Sequence, residues 1–275
     1  MTKKAWYIGN TTVRNAKRLK DGLRVLLKSP LHGNLIGKEN EQEFARLLHE
    51  EGIVFVKRLN DSSSNDASDV GRKWRAALMQ LGFIKPSFVA EPYTITPNGM
   101  RLVESKTMPG EQECFLRALL AYQLPSEIEE SFSKPIFSPL RIVLEILSML
   151  EYQGLDAAIS KHEMASMVQL TTSLEEISHI VNRISKYRAT LNTITNSRER
   201  KRFNREFLQS VATTSQSANT LMDYADSNFR YLKLTGLFVE KGNKLSFASH
   251  KETVIEQILA ESYTPITESE YLETL

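Results

Sequence analysis

From Leu221 onward, apolar residues recur at Ala225, Phe229 and Leu232, offsets of 4, 8 and 11 that put one stripe on an α-helix starting near Thr220. On the other side, Asp223, Ser227, Arg230 and Lys233 follow one another at steps of 4, 3 and 3. Gly236 stops the helix, and "LFVEKGNKLSF" then reads as two short strands around a turn at Lys241, Gly242 and Asn243. Helix, glycine stop and hairpin, in that order, make a winged helix, whose last helix commonly enters the DNA major groove. The polar stripe would equally suit an ordinary solvated helix face.

The first half carries a similar succession. "TVRNAKRLKDGLRVLLK" predicts one amphipathic helix, "ENEQEFARLLHEEG" a second closed by Gly52, and "IVFVKRL" a short strand leading into the loop "NDSSSND". "SDVGRKWRAALMQLGFI" predicts a third helix, capped by Ser68 or Asp69 and ended at Gly82. Val70, Trp74, Ala77, Leu78 and Leu81 form its buried stripe, with Arg72, Arg75 and Met79 opposite. "YTITPNGMRLV" then predicts a wing turning at Pro97, Asn98 and Gly99. "GEQECFLRALLAYQLPS" is a helix ending at Pro125, and the polar "SEIEESFSKP" after it marks a domain boundary. In the second half, helical patterns in "PLRIVLEILSMLE", "SKHEMASMVQL" and "SLEEISHIVNRISKYRATL" precede the arginine-rich "NSRERKRFNREF".

The expected fold class is therefore mainly α with small β wings: two winged-helix (helix-turn-helix) subdomains joined by helical linkers. The expected division is 1–125 for the first subdomain with a basic N-terminal arm, 126–136 for a linker, and 137–258 for the second subdomain. An acidic tail, 259–275, follows.

At 275 residues, with 41% hydrophobic and 25% charged residues, the composition suits two ordinary domains with cores of their own. No apolar run approaches the roughly 18 residues of a membrane span, and no signal-peptide pattern opens the chain. The single cysteine, Cys114, excludes an internal disulfide framework, reads as a small core residue and fits a cytoplasmic setting. The net charge of +2 hides an uneven distribution: residues 1–28 hold eight basic side chains against Asp21 alone, and residues 183–205 hold eight against Glu199 alone. Residues 252–275 carry six glutamates and no Lys or Arg. Two basic blocks suggest a surface facing a polyanion, although charge runs are commonly just solvated helix faces.

Catalytic patterns are missing their essential members. His162-Glu163 begins like a zinc-protease helix, but Ser166 stands where the second imidazole belongs. "GNLIGKE" is one residue short of a phosphate loop and puts Glu39 where Ser or Thr would hold magnesium. A metal-dependent nuclease needs paired carboxylates and a lysine, and Glu104-Ser105-Lys106 stands without an acidic partner. No catalytic residue and no metal ligand is nominated. Binding chemistry is better represented, since Arg and Lys reach guanine or phosphate and Ser reaches either. Arg72, Arg75, Ser227, Arg230 and Lys233 are the candidate base readers; Arg14, Lys17, Arg18, Arg198, Lys201, Arg202 and Arg205 are candidate phosphate grips.

The chain resembles the N-terminal recognition region of the type IIS restriction and strand-nicking endonucleases typified by AlwI and MlyI. The stretches that carry the resemblance are "KKAWYIGNTTVRNAKRL", "ALMQLGFI", "ITPNGMRLV", "FLRALLAYQLPS" and "DYADSNFRYLKLTGLFVEKGNKL", in order from about residue 3 onward. The resemblance implies two winged-helix subdomains that read a short asymmetric site in double-stranded DNA. It also implies a linker and a separate Mg²⁺-dependent nuclease domain, expected to be missing here, so that this chain needs no cofactor of its own. It puts Arg14 on an arginine of the N-terminal arm, Arg230 and Tyr231 on an Arg-Tyr pair, and Lys233 on a following basic position. Gly71-Arg72-Lys73 departs from the family's Arg-Asp-Arg run, with Lys73 still a DNA-contact candidate. The expected partner is duplex DNA bound by a monomer. Rival expectations are a winged-helix transcription regulator, a protein–protein adaptor and a compact nuclease of unfamiliar type.

Overall fold

The structure, a computed structural model, describes residues 4–31, 33–59, 65–85, 95–125, 136–266 and 270. His32, most of the "NDSSSND" loop, all but Ile136 of the expected linker, and the last residues of the acidic tail lie outside the described residues. The chain divides into two bodies, Gly9–Tyr122 with Ile266–Leu275, and Met1–Ile8 with Gln123–Pro265. The sequence expectation assigned residues 5–8 to the N-terminal subdomain, but their partners lie in the other body. Among the described residues, no helix is long and apolar enough to cross a membrane.

The first body is built from α1 (Leu19–Lys28), α2 (Lys38–Glu50), α3 (Asp66–Gln80), α4 (Pro97–Glu104) and α5 (Met108–Ala121). The 12–28 stretch is not one helix, because Thr12–Asn15 are non-helical and a single 3-10 turn, Ala16–Arg18, leads into α1. Leu19, Leu23 and Leu26 of α1 and Phe44, Ala45 and Leu48 of α2 are buried, as their helical spacing requires. Helix α3 begins at Asp66, ahead of the expected Ser68 or Asp69 cap. Its stripe of Trp74, Ala77 and Leu78 is buried, but Met79, expected on the outer side, is buried too.

Two expected β elements are absent. "IVFVKRL" forms bends and turns between α2 and α3, and its Val56 joins a small cluster with Ala45 and Ala67. Pro97-Asn98-Gly99 is not a wing turn but the first turn of α4. Thr96 caps that helix by accepting from the Gly99 N–H at 3.0 Å, with proline at the first position. Asn98 donates to the Cys114 carbonyl at 3.0 Å, which fastens α4 to α5. The sequence turn signal and the helix-start signal share the same residues, and the cap decides between them.

The second body holds α6 (Pro139–Tyr152), β1 (Ala158–Ser160), α7 (Lys161–Ser166), α8 (Ile177–Thr193), α9 (Ser197–Val211), α10 (Ala218–Leu234), β2 (Phe238–Lys241), β3 (Lys244–Phe247) and α11 (Glu252–Ala260). The three strands form one antiparallel sheet in the order β1-β3-β2. β2 and β3 pair from Phe238↔Phe247 to Lys241↔Lys244, which leaves Gly242 and Asn243 as the loop. Both have positive φ, 57° and 61°, the requirement of a type I′ hairpin turn. Helix α6 supplies the core, with Leu140, Ile142, Val143, Leu144, Ile146, Leu147 and Leu150 buried. Ile180, Val181 and Ile184 of α8 are buried against it.

Candidate nucleic-acid interface

Helix α10 is capped by Ser217, whose hydroxyl accepts from the Thr220 N–H at 3.2 Å, and it presents three faces. Leu221, Ala225, Phe229 and Leu232 face the core and are buried. A second flank carries Tyr224, Ser227 and Tyr231, and the N-terminal segment covers Tyr224 and Ser227. Tyr7 stacks on Tyr224 with ring centroids 4.2 Å apart, and Ser227 Oγ donates to the Ile8 carbonyl at 2.9 Å. Ser227 and Tyr231 are each 0% exposed. This corrects both as candidate DNA contacts, because neither side chain reaches the surface.

The same network seats the whole N-terminal segment. Gln216 accepts from the Ala5 N–H and donates to its carbonyl, at 2.9 and 3.3 Å. Asn228 accepts from the Ile8 N–H at 2.9 Å and donates to Gln169 Oε1 at 3.2 Å. The Trp6 indole donates to the Thr171 carbonyl at 2.8 Å and is fully buried. Residues 5–8 are therefore an integral piece of this body rather than a free arm.

The third face of α10 is charged. Asp226 accepts from Lys161 at 2.7 Å and stands 3.2 Å from the Arg230 guanidinium. Glu240, on the hairpin, pairs with Lys233 and lies 3.7 Å from Lys161. Five side chains from α7, α10 and β2 thus form one cluster, three cations against two carboxylates, and all remain partly exposed. Burial pushes the Asp226 carboxyl up, but the Lys161 hydrogen bond and the charges of Lys161, Arg230 and Lys233 outweigh it. The net effect holds the carboxyl below its ordinary value. Lys161, Asp226 and Glu240 are not nominated by sequence; Asp226, four residues before Arg230, is the one that helical spacing could have supplied.

Helix α9 bears the second cationic surface. Arg198, Lys201, Arg202 and Arg205 are all exposed and occupy positions i, i+3, i+4 and i+7, one stripe. The opposite side is held by aromatic contact, with Phe203 and Phe207 at 5.6 and 4.9 Å from the Tyr187 ring. Tyr187 donates to Asn204 at 2.6 Å, and burial pushes its phenol well above the ordinary value. Arg202 lies 3.8 Å from Glu206, both well exposed, a pair of little strength.

In the first body, Arg14, Arg18 and Lys73 come together along a groove of about 390 Å³, with Phe55 and Trp74 also lining it. Arg14 and Lys17 are exposed. Arg18 is committed to the scaffold, donating to the Gly52 and Ile53 carbonyls at 2.9 and 3.0 Å. Arg72 is exposed and pairs with Asp69 at 3.1 Å. Arg75 is engaged between helices. It pairs with Glu41 of α2 at 2.9 Å, with only 23% and 10% of the two side chains exposed. Trp74 is buried, as its place in the apolar stripe predicts.

Glu163, half of the incomplete zinc-protease pattern, is structural. Its carboxylate takes the Ser160 N–H at 2.7 Å in a capping box and receives Arg188 at 2.6 and 3.2 Å. Among the described residues, no three His, Cys, Asp or Glu side chains gather closely enough to hold a metal ion.

The chain is similar to the BpuJ1 endonuclease binding domain, solved in complex with pyrene- and phenanthrene-modified DNA. The TM-score is 0.58 at 13% identity, over 94% of this chain and 86% of that one. Residues 79–275 match the AlwI restriction endonuclease family, and the chain belongs to that family. Comparison with curated proteins yields no match.

Proposed function

We propose that this chain binds double-stranded DNA at a short asymmetric site, as a monomer, and is the target-recognition part of a type IIS restriction or nicking endonuclease. The observation that carries the reading is the outward stripe of α10, with Arg230 and Lys233, set beside a type I′ hairpin in the second body. We interpret α10 with the β1-β3-β2 sheet as a winged helix, with α10 as its recognition helix. The α9 stripe of Arg198, Lys201, Arg202 and Arg205 suits phosphate contacts beside it. Arg14, Lys17, Arg72 and Lys73 of the first body are assigned a similar role. Family membership and the fold shared with an endonuclease binding domain support this reading. The Mg²⁺-dependent cutting of such enzymes is assigned to a separate nuclease domain. The described residues offer no donor set that fits the ion.

Selection of the preferred site from a random duplex library tests the proposal, followed by affinity against scrambled duplex at two salt concentrations. The expected result is a short asymmetric consensus whose preference survives the higher salt. Arg230→Ala should relax it by about 1–3 kcal/mol at one position. Weak, sequence-blind binding that disappears with salt would overturn the reading.

A further inference from the structure

Asp226 and Glu240 sit inside the very face that the proposed function turns toward a polyanion. A helix selected only for affinity would carry neither. Asp226 draws Lys161 to 2.7 Å and Arg230 to 3.2 Å, while Glu240 takes Lys233 and lies 3.7 Å from Lys161. Each of the three cations is thus already matched by a carboxylate from another turn or another element. Both carboxylates are tied into the cluster by these contacts, while 22% of the Glu240 side chain and 44% of the Asp226 side chain remain exposed. They bridge α7, α10 and the hairpin.

We infer that Asp226 and Glu240 are specificity-determining residues, which hold Lys161, Arg230 and Lys233 away from phosphates and release them only to matching base edges. This rests on the proposed DNA-binding reading. The physical argument concerns two states. On an arbitrary duplex, the cations gain nothing by leaving their carboxylates for phosphates, since one charge pair replaces another and two carboxylates are left beside the DNA backbone. On the matching site, Arg230 or Lys233 bonds to guanine acceptors, and the freed Asp226 can accept from a cytosine or adenine amino group. Only that exchange satisfies every group. The carboxylates therefore penalise wrong sequences more than the right one, discrimination through a repulsive element.

The test uses the whole chain with Asp226→Asn and, separately, Glu240→Gln. Affinity for the selected site and for scrambled duplex is measured across a salt series, with thermal unfolding of each variant alongside. The expected result is binding to scrambled DNA tightened about five- to tenfold, the scale of one exposed charge interaction. Affinity for the selected site should be unchanged or weaker, so that the ratio of the two falls. The dependence of log K on log salt should steepen by up to about 0.9 for each carboxylate neutralised. A purely bracing role predicts the opposite sign. Loss of affinity for both duplexes alike, or no change in either, overturns the inference while leaving the proposed function intact. A wild-type chain that does not distinguish the two duplexes overturns both, and that outcome is read before any variant is made. If Asp226→Asn unfolds, Glu240→Gln decides alone, since it leaves the Asp226 pairs in place.

Discussion

Replacing Gly71 by alanine sets two physical effects against each other. Gly71 lies in the interior of α3, where helix propensity alone predicts that alanine stabilises by about 1 kcal/mol. The packing says otherwise. A β-carbon at Gly71 would fall 1.9 Å from the Glu41 carbonyl oxygen of α2, 2.6 Å from its carbonyl carbon and 2.9 Å from its α-carbon. All three are backbone atoms, so no rotamer change relieves the clash. Reaching 3.0 Å, below which real contacts of this kind essentially do not occur, requires the two helices to separate by at least 1.1 Å, from 1.9 to 3.0. That movement opens the packed α2–α3 interface, where Ala45 clusters with Ala67, and stretches the Arg75–Glu41 pair. Overpacking costs about 1–3 kcal/mol where side chains can give, and here the upper end applies. Net destabilisation of about 2 kcal/mol is therefore expected after the propensity gain. Urea unfolding followed by Trp fluorescence measures it, as a lower midpoint at unchanged slope. A midpoint equal to or above that of the wild type would refute the close-approach argument.

Three further outcomes follow from buried groups. Arg188→Ala leaves Glu163, 3% exposed, as an uncompensated charge, and should destabilise by about 3–5 kcal/mol in urea melts, whereas Glu163→Gln with Arg188 present should cost less. Burial holds His162 below its ordinary pKa, against the smaller opposing effect of Glu163. As pH falls below the unfolded value of about 6.5, the unfolded chain takes up a proton that native His162 resists. Stability should drop through that window down to the lowered native value, and His162→Gln should flatten the slope in melts between pH 7 and pH 5. Burial also pushes the Cys114 thiol up, so alkylation by iodoacetamide should be slow in the native state and rise sharply once urea unfolds the chain.

Local signals were enough for one half of the candidate site and misleading for the other. Leu221, Ala225, Phe229 and Leu232 mark the core face of α10, and Lys241-Gly242-Asn243 marks its hairpin, because helical period and turn chemistry are local properties. Ser227 is different. On a helical wheel it lies close enough to Arg230 to pass for the same polar face, yet it is buried by a carbonyl 219 residues earlier in the chain. Nothing in its neighbourhood announces that contact. The ion pair of Arg75 is hidden for a related reason, since its partner Glu41 lies on another helix that packs against α3 with the close approach at Gly71. Pro97-Asn98-Gly99 fails differently: its residues suit a turn and a helix start alike, and the Thr96 cap settles the matter.

The buried flank of α10 changes what its charged face can do. A recognition helix seated on one side only could rock, and each cation on it would then meet a range of partners. Here Ser227 and Asn228 bind the Ile8 backbone, Gln216 binds both polar atoms of Ala5, and Tyr224 stacks on Tyr7. The helix is gripped on two of its three faces by separate parts of the chain. On the proposed function, Arg230 and Lys233 then stand on a fixed backbone, a condition for side chains to discriminate between base edges rather than merely attract phosphate. Ser227, nominated as a reader of bases, instead fixes the helix that the proposed function assigns to the readers.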